Sequence, residues 1–231
     1  MKIIWLGHGS FRIEAGGEVL LLDPWLEGNP SFPTDRRREA LAGATSILIT
    51  HAHGDHAGEA AAIAKETGAT IYGIYDWIGW LAQAHGIEGV GFSKGGTVKI
   101  GEVAVTMVHA VHSSSCPAEG DAAVFAGSEA GFMIAAGGKT LYAMGDTDVM
   151  ADMALFEELH RPSHALVPIG GHFTMDSTRA AFACKKFFRF EAVIPCHYGT
   201  FPVLEPSADA FVEKVAPMKV IVPAVLEPVS L

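Results

Sequence analysis

The chain has 231 residues, of which 49% are hydrophobic and 18% are charged. Disordered chains are poor in apolar residues and rich in charge, so this composition predicts a folded protein, and the length suits a single domain over residues 1–231. The formal net charge of −10 argues against a nucleic-acid partner, because proteins that bind the phosphate backbone need a basic stripe.

The sequence predicts a cytoplasmic protein with no membrane partner. The N-terminal apolar run Ile3–Leu6 is too short for the hydrophobic region of a signal peptide. No run of about 18 apolar residues is present to span a bilayer. Three scattered cysteines are too few for a disulfide framework and fit a reducing compartment. We expect a small-molecule substrate as the partner, and the low charged fraction is compatible with a homo-oligomer.

The first part of the chain is predicted to be rich in strands. Short apolar or alternating runs predict strands at Ile3–Leu6, Phe11–Ala15, Val19–Asp23, Ser46–Thr50 and Thr70–Gly73. The patterns of Glu59–Thr67 and Asp76–His85 predict helices, and each of them is followed by a glycine.

The middle of the chain returns to strands, and the last part alternates helices with strands. Strands are predicted at Thr97–Ile100, Val103–Ala110, Ala122–Ala126, Gly131–Ala136, Thr140–Met144, Ala165–Pro168, Ala192–Pro195 and Lys219–Val222. Helices are predicted at Asp148–Leu159, Thr178–Phe188 and Ala208–Val215. This order favours a layered α/β domain with its helices outside. Local patterns do not distinguish two packed sheets from one large sheet.

The densest group of potential metal ligands is the string His51-Ala52-His53-Gly54-Asp55-His56, which follows the predicted strand Ser46–Thr50 and opens a helix. Three imidazoles and one carboxylate within six residues are costly to bury unless they converge on a cation. Neutral imidazole suits zinc, and carboxylate suits harder cations. A solvated, histidine-rich loop is the alternative, but four potential ligands at the end of a strand favour a metal site.

This string, with Asp23 at the end of an earlier strand, resembles the metallo-β-lactamase superfamily. Later motifs follow in the family's order, namely His112, Gly145-Asp146-Thr147 and His197. More narrowly, Gly7-His8-Gly9-Ser10, His112-Ser113-Ser114 and Pro195-Cys196-His197-Tyr198 are similar to small metal-dependent hydrolases related to the ascorbate-6-phosphate lactonases. The resemblance covers essentially the whole chain. It implies an α/β (α+β) fold, a four-layer αββα sandwich with two metal ions at one edge.

By position, the resemblance implies two groups of metal ligands that share one carboxylate. The first ion would be held by His51, His53 and His112, the second by Asp55, His56 and His197, and Asp146 would bridge both. Such sites leave room for water, unlike a closed structural site with four protein ligands. Zinc is the first choice for the two divalent ions, with manganese, iron or nickel as alternatives.

The resemblance also implies a reaction. In a dinuclear hydrolase of this type, a metal-bridging hydroxide attacks a carbonyl centre of lactone or ester type. A phosphodiesterase of the same fold is the alternative, because two-metal sites also suit displacement at phosphorus. A non-catalytic metal-binding protein is the further alternative, although such a protein would be expected to have lost ligands. A redox diiron protein of this fold typically carries glutamate where this chain has His53.

Asp55, Asp146 and His8 are the candidate catalytic residues. His8 lies in a glycine-flanked turn and is interpreted either as an acid for the leaving group or as a structural turn histidine. By resemblance, Asp23 would accept a hydrogen bond from a ligand histidine or from a backbone amide, which would orient the ligand loop.

Further side chains are candidates for the substrate pocket. His172 and Tyr198 are the main ones, and Trp25 is placed where it could reach the pocket rim. His109 competes with His112 for one ligand position, but the family pattern favours His112 and a hydrogen bond in the wall for His109. The sequence leaves open whether His109 or His172 contributes to the site. Asp176 or Ser177 is expected to cap the helix that follows.

Overall fold

The structure is a computed structural model that describes residues 1–117 and 123–231. The strands are β1 (Lys2–Trp5), β2 (Phe11–Ala15), β3 (Glu18–Leu22), β4 (Ser46–Leu48), β5 (Thr70–Ile74), β6 (Gly89–Phe92), β7 (Thr97–Ile100), β8 (Val103–His109), β9 (Ser115–Pro117), β10 (Ala123–Phe125), β11 (Ala130–Ala136), β12 (Lys139–Ala143), β13 (His164–Pro168), β14 (Ala192–Cys196) and β15 (Pro228–Ser230). The helices are α1 (Arg37–Leu41), α2 (Gly54–Ala57), α3 (Ala60–Thr67), α4 (Tyr75–His85), α5 (Met153–His160), α6 (Ser177–Phe187) and α7 (Asp209–Val215), with a 3₁₀ turn at Thr34–Arg36. Among the described residues, none of these helices combines the length and the apolar character needed to cross a bilayer.

The strands form two large sheets. The first sheet has the order β15-β1-β2-β3-β4-β5-β6, with antiparallel pairing from β15 to β3 and parallel pairing from β3 to β6. The second sheet has the order β14-β13-β12-β11-β8-β7, with parallel pairing among β12, β13 and β14 and antiparallel pairing elsewhere. Strands β9 and β10 pair with each other as a separate hairpin.

Alternation along the second sheet shows how the layers are stacked. On β11, Phe132 and Ile134 join the larger buried cluster with the first sheet, whereas Met133 joins a second cluster with α5, α6 and α7. On β13, Leu166 and Val167 divide in the same way. Because successive side chains of a strand point to opposite faces, the second sheet packs against the first sheet on one side and against helices on the other.

Helices also cover the outer face of the first sheet. Buried residues of α3 and α4, including Ile63 and Trp77, belong to the same cluster as the strands of that sheet. The layers are therefore helices, sheet, sheet and helices, and the predicted αββα sandwich of the α/β class is confirmed. The expectation of a single domain over residues 1–231 stays a prediction.

Strand directions place the predicted ligands at one rim of the sandwich. In the first sheet β1, β3 and β4 run the same way, and in the second sheet β8, β12 and β14 do so. We call the residues that follow the first three strands the first-sheet rim (His8, Asp23 and residues 51–56), and those that follow the other three the second-sheet rim (His112, Asp146 and His197). The two rims face each other and form the site described below.

Most predicted elements are confirmed to within one or two residues, and the exceptions have local causes. The helix expected from Asp148 begins at Met153. The Asp148 carboxylate accepts hydrogen bonds from the backbone N–H of Val149 and from Arg179, and such local bonds compete with the start of a helix. Residues 219–222 form only one isolated bridge, between Val220 and Val193, so the predicted strand there was wrong. Ala122, the first residue of another predicted strand, lies outside the described residues.

Strands β6, β9 and β15 were not predicted from the sequence. Strand β6 has the sequence Gly-Val-Gly-Phe, in which two glycines hide the strand pattern. Asp176 caps α6 as expected, since its carboxylate accepts a hydrogen bond of 2.7 Å from the backbone N–H of Arg179.

Candidate metal centre

The first predicted ligand group consists of His51, His53 and His112. One ring nitrogen of each lies within 4.8 Å of the corresponding nitrogens of the other two. Nε2 of His51 and Nδ1 of His53 are 3.0 Å apart. His51 is buried, while His53 and His112 are half-buried and line a cleft that opens to solvent.

The second predicted group consists of Asp55, His56 and His197, which the structure also brings together. Their ligand atoms lie within 4.8 Å of one another, and a nitrogen of His8 falls inside the same limit. His56 and His197 are each 1% exposed, whereas the Asp55 carboxylate reaches the cleft. The sequence analysis did not place His8 among the ligands.

Asp146 lies between the two groups. Its Oδ2 atom is 3.0 Å from Nε2 of His197 and 3.5 Å from Nε2 of His56. The same oxygen is 3.6 Å from Nε2 of His112, which belongs to the first group. One carboxylate oxygen therefore contacts ligands of both groups, as expected of a bridging residue.

Asp23 and Thr50 support the ligands of the first-sheet rim. Asp23 Oδ1 accepts a hydrogen bond of 2.8 Å from the backbone N–H of Thr50, and its Oδ2 accepts one of 2.6 Å from the Thr50 hydroxyl. Oδ2 also lies 2.9 Å from Nδ1 of His56. These are the two kinds of partner that the sequence analysis expected for Asp23.

These partners fix which nitrogen of each ring carries a proton. A carboxylate only accepts, so Nδ1 of His56 must donate to Asp23. The Thr50 hydroxyl spends its single proton on Asp23, and its oxygen therefore accepts from Nδ1 of His51 at 3.0 Å. When each ring is neutral, its Nε2 keeps its lone pair, which is directed into the site. Nε2 of His53 faces the Ser113 hydroxyl at 3.4 Å, which leaves Nδ1 of His53 to point inward.

Burial sets the protonation of most of these groups. Desolvation lowers the pKa of His51 well below its usual value, and it also lowers the pKa of His53 and His112. Metal binding requires neutral imidazole, so these shifts favour the ligand form. Burial opposes ionisation of Asp146, but the nearby His197 and His56 outweigh it and hold the pKa of Asp146 well below its usual value.

His56 differs from the other histidines. Burial again opposes its charged form, but Asp146 and Asp23 outweigh that effect and raise the pKa of His56 well above its usual value. The two carboxylates thus create a strongly negative environment around its inward nitrogen. A cation at this place would neutralise the same charge that otherwise attracts a proton.

The donor atoms fit divalent metal ions. Nε2 of His56 and both ring nitrogens of His197 are buried and have no hydrogen-bond partner among the described residues. Buried polar nitrogens are normally paired, so inward nitrogens crowded around a carboxylate indicate a missing positive charge. Imidazole together with carboxylate is the donor set of zinc and of neighbouring transition metals.

His8 lies behind Asp55, away from the cleft. It is 0% exposed, with Nε2 at 3.0 Å from Oδ2 of Asp55 and Nδ1 at 2.6 Å from Oγ1 of Thr200. Because the carboxylate accepts, Nε2 of His8 donates to it and the Thr200 hydroxyl donates to Nδ1. Burial lowers the pKa of His8 to about 4, so the ring is neutral. With both nitrogens engaged and no exposed face, His8 orients Asp55 and is badly placed for its predicted role as a leaving-group acid.

The backbone is unusual at three site residues. Non-glycine residues with positive φ among the described residues are His8, Asp23, Arg161, His197 and Leu226. Left-handed conformations are costly for residues with a Cβ, and they cluster at functional sites where other contacts hold them. Gly9 has a different reason, because a Cβ there would lie 2.9 Å from Cε1 of His56. The glycine-flanked turn lets the His56 ring approach the backbone.

The cleft beside the ligands has a volume of about 830 Å³ and an apolar rim. Trp25, Phe173, Phe201 and Val203 form this rim. Trp25 was predicted to reach this rim, and the other three were not predicted. Phe173 and Val203 stand out in the structure as large apolar side chains that are 51% and 54% exposed.

The other pocket candidates lie away from the cleft. His172 is exposed and contacts Phe173 with its ring instead of lining the cleft, so its aromatic neighbour takes the place predicted for it. Tyr198 stacks on Trp5 at 5.4 Å between ring centroids and packs against the core. His109 has its Nδ1 at 3.1 Å from the Lys94 ammonium and joins neither ligand group, in agreement with the choice of His112.

The fold and the donor set define a metal-dependent hydrolase of the metallo-β-lactamase superfamily. Consistent with this, the family described as "Beta-lactamase superfamily domain" matches residues 2–197. Within the superfamily, the chain belongs to the UPF0173 metal-dependent hydrolases. The relative from Dinoroseobacter shibae is 57% identical over 231 residues, which is 100% of both chains.

Solved structures of similar fold include metal-dependent hydrolases. Igni18, described as a novel metallo hydrolase from Ignicoccus hospitalis, is 34% identical with a TM-score of 0.87, covering 99% of this chain and 97% of its own. An isothiocyanate hydrolase from Delia radicum gut bacteria has a TM-score of 0.74 over 100% of this chain and 99% of its own. Its identity of 16% means that it shows the shared fold alone.

Proposed function

We propose that this protein is a dinuclear metal-dependent hydrolase that acts on carbonyl substrates of lactone or ester type. The observation that carries the proposal is Asp146 Oδ2, which contacts histidines of two separate ligand groups at the floor of an open cleft. A purely structural site would be closed by its four ligands, whereas this arrangement opens on one side.

The residues that would hold the ions are those predicted from the sequence. His51, His53 and His112 would bind one ion, Asp55, His56 and His197 would bind the other, and Asp146 would be shared. Two divalent ions supply activation of water and neutralisation of the charge that develops on the substrate. Zinc suits this set best, with manganese, iron or nickel as alternatives.

The chain's own residues prepare the site for this chemistry. Asp23 and Thr50 hold His51 and His56 with their lone pairs inward, so the rings need little reorganisation when a metal ion binds. His8 and Thr200 hold the carboxylate of Asp55 in the same way. The aromatic rim places apolar surface beside the reacting centre, and surroundings of low polarity strengthen electrostatic interactions there.

A carbonyl substrate is favoured over a phosphodiester by the character of the cleft. Phosphoryl transfer needs cationic groups around the transferring oxygens, and arginine or lysine commonly supplies part of that charge. The described residues that line this cleft include neither. A phosphodiesterase is therefore the second candidate, and the two-metal donor set is the observation that keeps it.

The experiment compares hydrolysis of a simple lactone, an activated ester and an activated phosphodiester by protein reconstituted separately with zinc, manganese, iron and nickel. Metal content is measured on the same samples. His197→Ala should lose one ion and all turnover. His85→Ala, a change at an exposed histidine outside the site, should keep both ions and full turnover. Turnover of the phosphodiester alone would support the second candidate. Two bound ions without turnover of any substrate would contradict hydrolysis and support a non-catalytic metal-binding protein.

We also propose the setting in which this activity operates. The protein would act in the cytoplasm as one domain on a small-molecule substrate, without nucleic acid or membrane, and its surface is compatible with a homo-oligomer. The composition supports this proposal through its net charge of −10 and its scattered cysteines.

A further inference from the structure

We infer that the cleft disfavours anionic substrates and selects substrates that carry an apolar group beside the scissile carbonyl. The inference rests on the proposed function and goes beyond it by naming the substrate class. Its starting point is the separation of the cleft into a polar floor and an apolar rim. Asp55, Asp146 and the ligand histidines form the floor, and Trp25, Phe173, Phe201 and Val203 form the rim.

The rim is built around a packed pair of aromatic rings. The rings of Trp25 and Phe201 are nearly parallel, with 5.7 Å between centroids and 21° between planes. The buried His8 ring contacts both edge-on, at 5.2 Å from Trp25 and 5.4 Å from Phe201. Aromatic surface of this kind stabilises planar or aliphatic groups by burial and offers nothing to an anionic group.

The segment that carries Trp25 is held rigidly. Its backbone N–H donates to Oγ of Ser10 at 3.0 Å, and its carbonyl accepts from Nδ2 of Asn29 at 3.0 Å. The Glu59 carboxylate accepts hydrogen bonds from the backbone N–H groups of both Leu26 and Glu27, the second at 2.7 Å. The aromatic wall is therefore formed before a substrate arrives, and a preformed wall spends little binding energy on ordering.

Among the described residues that line this cleft, no cationic side chain balances an anionic substrate. None of its described lining residues is lysine or arginine, and residues 118–122 of the sequence contain neither. Elsewhere, Arg179 is bound to Asp148, and Lys94 lies against His109 of β8. A substrate anion outside the metal centre would lose water without gaining a partner, which is strongly unfavourable.

The lining of the cleft argues against a phosphorylated lactone as substrate. A lactone that bears a phosphate group, as the name ascorbate-6-phosphate lactonase implies, would need cationic contacts for that phosphate. The rim provides apolar contacts instead. The net charge of −10 adds a weak long-range repulsion of anions.

The main test uses two esters with the same leaving group and acyl chains of similar length. These are p-nitrophenyl butyrate and the mono-p-nitrophenyl ester of succinic acid, which differ by one terminal carboxylate. We expect kcat/KM of the metal-loaded protein to be at least about tenfold higher for the butyrate, because the carboxylate finds no partner. An equal rate, or a preference for the succinate, would overturn the inference.

Paired variants show whether the rim causes this preference. Val203→Lys puts a cation on the rim and should raise the relative rate on the succinate ester by about fivefold. Val212→Lys makes the same change on α7, outside the cleft, and controls for net charge. An identical shift in both variants would show that the rim does not set the preference and would contradict the inference.

A binding test separates this inference from the proposed activity. N-phenyl-1-naphthylamine is uncharged, and 8-anilinonaphthalene-1-sulfonate is the same molecule with a sulfonate. Fluorescence titration should show tighter binding of the uncharged dye, with a loss of at least about tenfold in affinity in Phe201→Ala. If no ester is hydrolysed but this pattern holds, the proposed reaction fails and the substrate class stands. Tighter binding of the sulfonate, or no effect of Phe201→Ala, would reject the substrate class.

Discussion

The two rims of the sandwich hold their metal ligands in different ways. On the first-sheet rim, Nδ1 of His51, Nδ1 of His56 and Oδ2 of Asp55 are bonded to Thr50, Asp23 and His8, respectively. On the second-sheet rim, Nδ1 of His197 has no partner among the described residues, and Asp146 Oδ2 contacts ligand histidines. The protein itself therefore orients one half of the centre, whereas the other half depends on the ions for its final geometry.

The largest expected effect is from Asp146→Asn, which removes the shared charge on the second-sheet rim. Both ions should be lost, and turnover should fall by more than about a hundredfold, because two-metal stabilisation is worth several kcal/mol. Metal content after desalting and kcat measure the change. Asp148→Asn, two residues later on an exposed ion pair with Arg179, is the control and should keep both ions. Two ions retained by Asp146→Asn would disprove its bridging role.

The next largest effect is expected from Asp23→Asn, which weakens the support of the first-sheet rim. An amide oxygen cannot replace both carboxylate oxygens, so His56 and Thr50 lose acceptors and metal affinity should fall by about 10–100-fold. Because Asp23 is buried, the free energy of unfolding should also fall by about 1–3 kcal/mol. Chelator competition and denaturant titration measure both. Asp35→Asn, at an exposed position, should change neither, and an unaltered affinity in Asp23→Asn would show that the rim does not need this support.

Removal of the ions should distinguish the rims directly. After chelation, the imidazoles of His112 and His197 should lose their single orientation, whereas His51 and His56 keep their bonds to Thr50 and Asp23. Nitrogen NMR spectra of the rings should show broadening for His112 and His197 only. The melting temperature should also fall, because ions at a thousand times their Kd stabilise a fold by about 4 kcal/mol. Equal broadening of all four rings would remove the distinction between the rims.

The smallest effect is expected from Thr200→Val. The Thr200 side chain follows the second sheet and contacts His8 on the first-sheet rim. The loss of one hydrogen bond to Nδ1 of His8 should cost about 1 kcal/mol and lower affinity for the second ion about fivefold. Isothermal titration with zinc measures this loss. Thr97→Val removes an exposed hydroxyl contact with Thr106 and should leave zinc affinity unchanged. If Thr200→Val also left it unchanged, His8 would not orient Asp55 through this bond.

The same difference between the rims explains what the sequence could predict. The first-sheet ligands form one contiguous string, so residue types and spacing alone indicated a metal site. The second-sheet ligands come one from each strand end, and only the resemblance to a known family selected His112 over His109. Of the strands that carry them, β14 was predicted well because its apolar run is buried on both faces.

Tertiary contacts account for what the sequence missed. Phe201 and Val203 look like ordinary loop residues, and only the fold brings them beside Trp25. The role of His8 depends on a partner 47 residues away and another 192 residues away, which no local pattern shows. Phe173 carried the best available signal, since an aromatic residue in a loop after a strand is a poor core residue.

The left-handed backbone of His8, Asp23 and His197 has a consequence for engineering. Glycine adopts this conformation without a steric penalty, so glycine at these positions would relieve backbone strain while it deleted a ligand or its support. These three side chains are buried, and truncation to glycine would leave cavities and break the bonds of His8 and Asp23, so the relieved strain is outweighed. The contacts that build the metal centre are therefore also the contacts that hold its strained backbone, and stability and activity would be lost together at these positions.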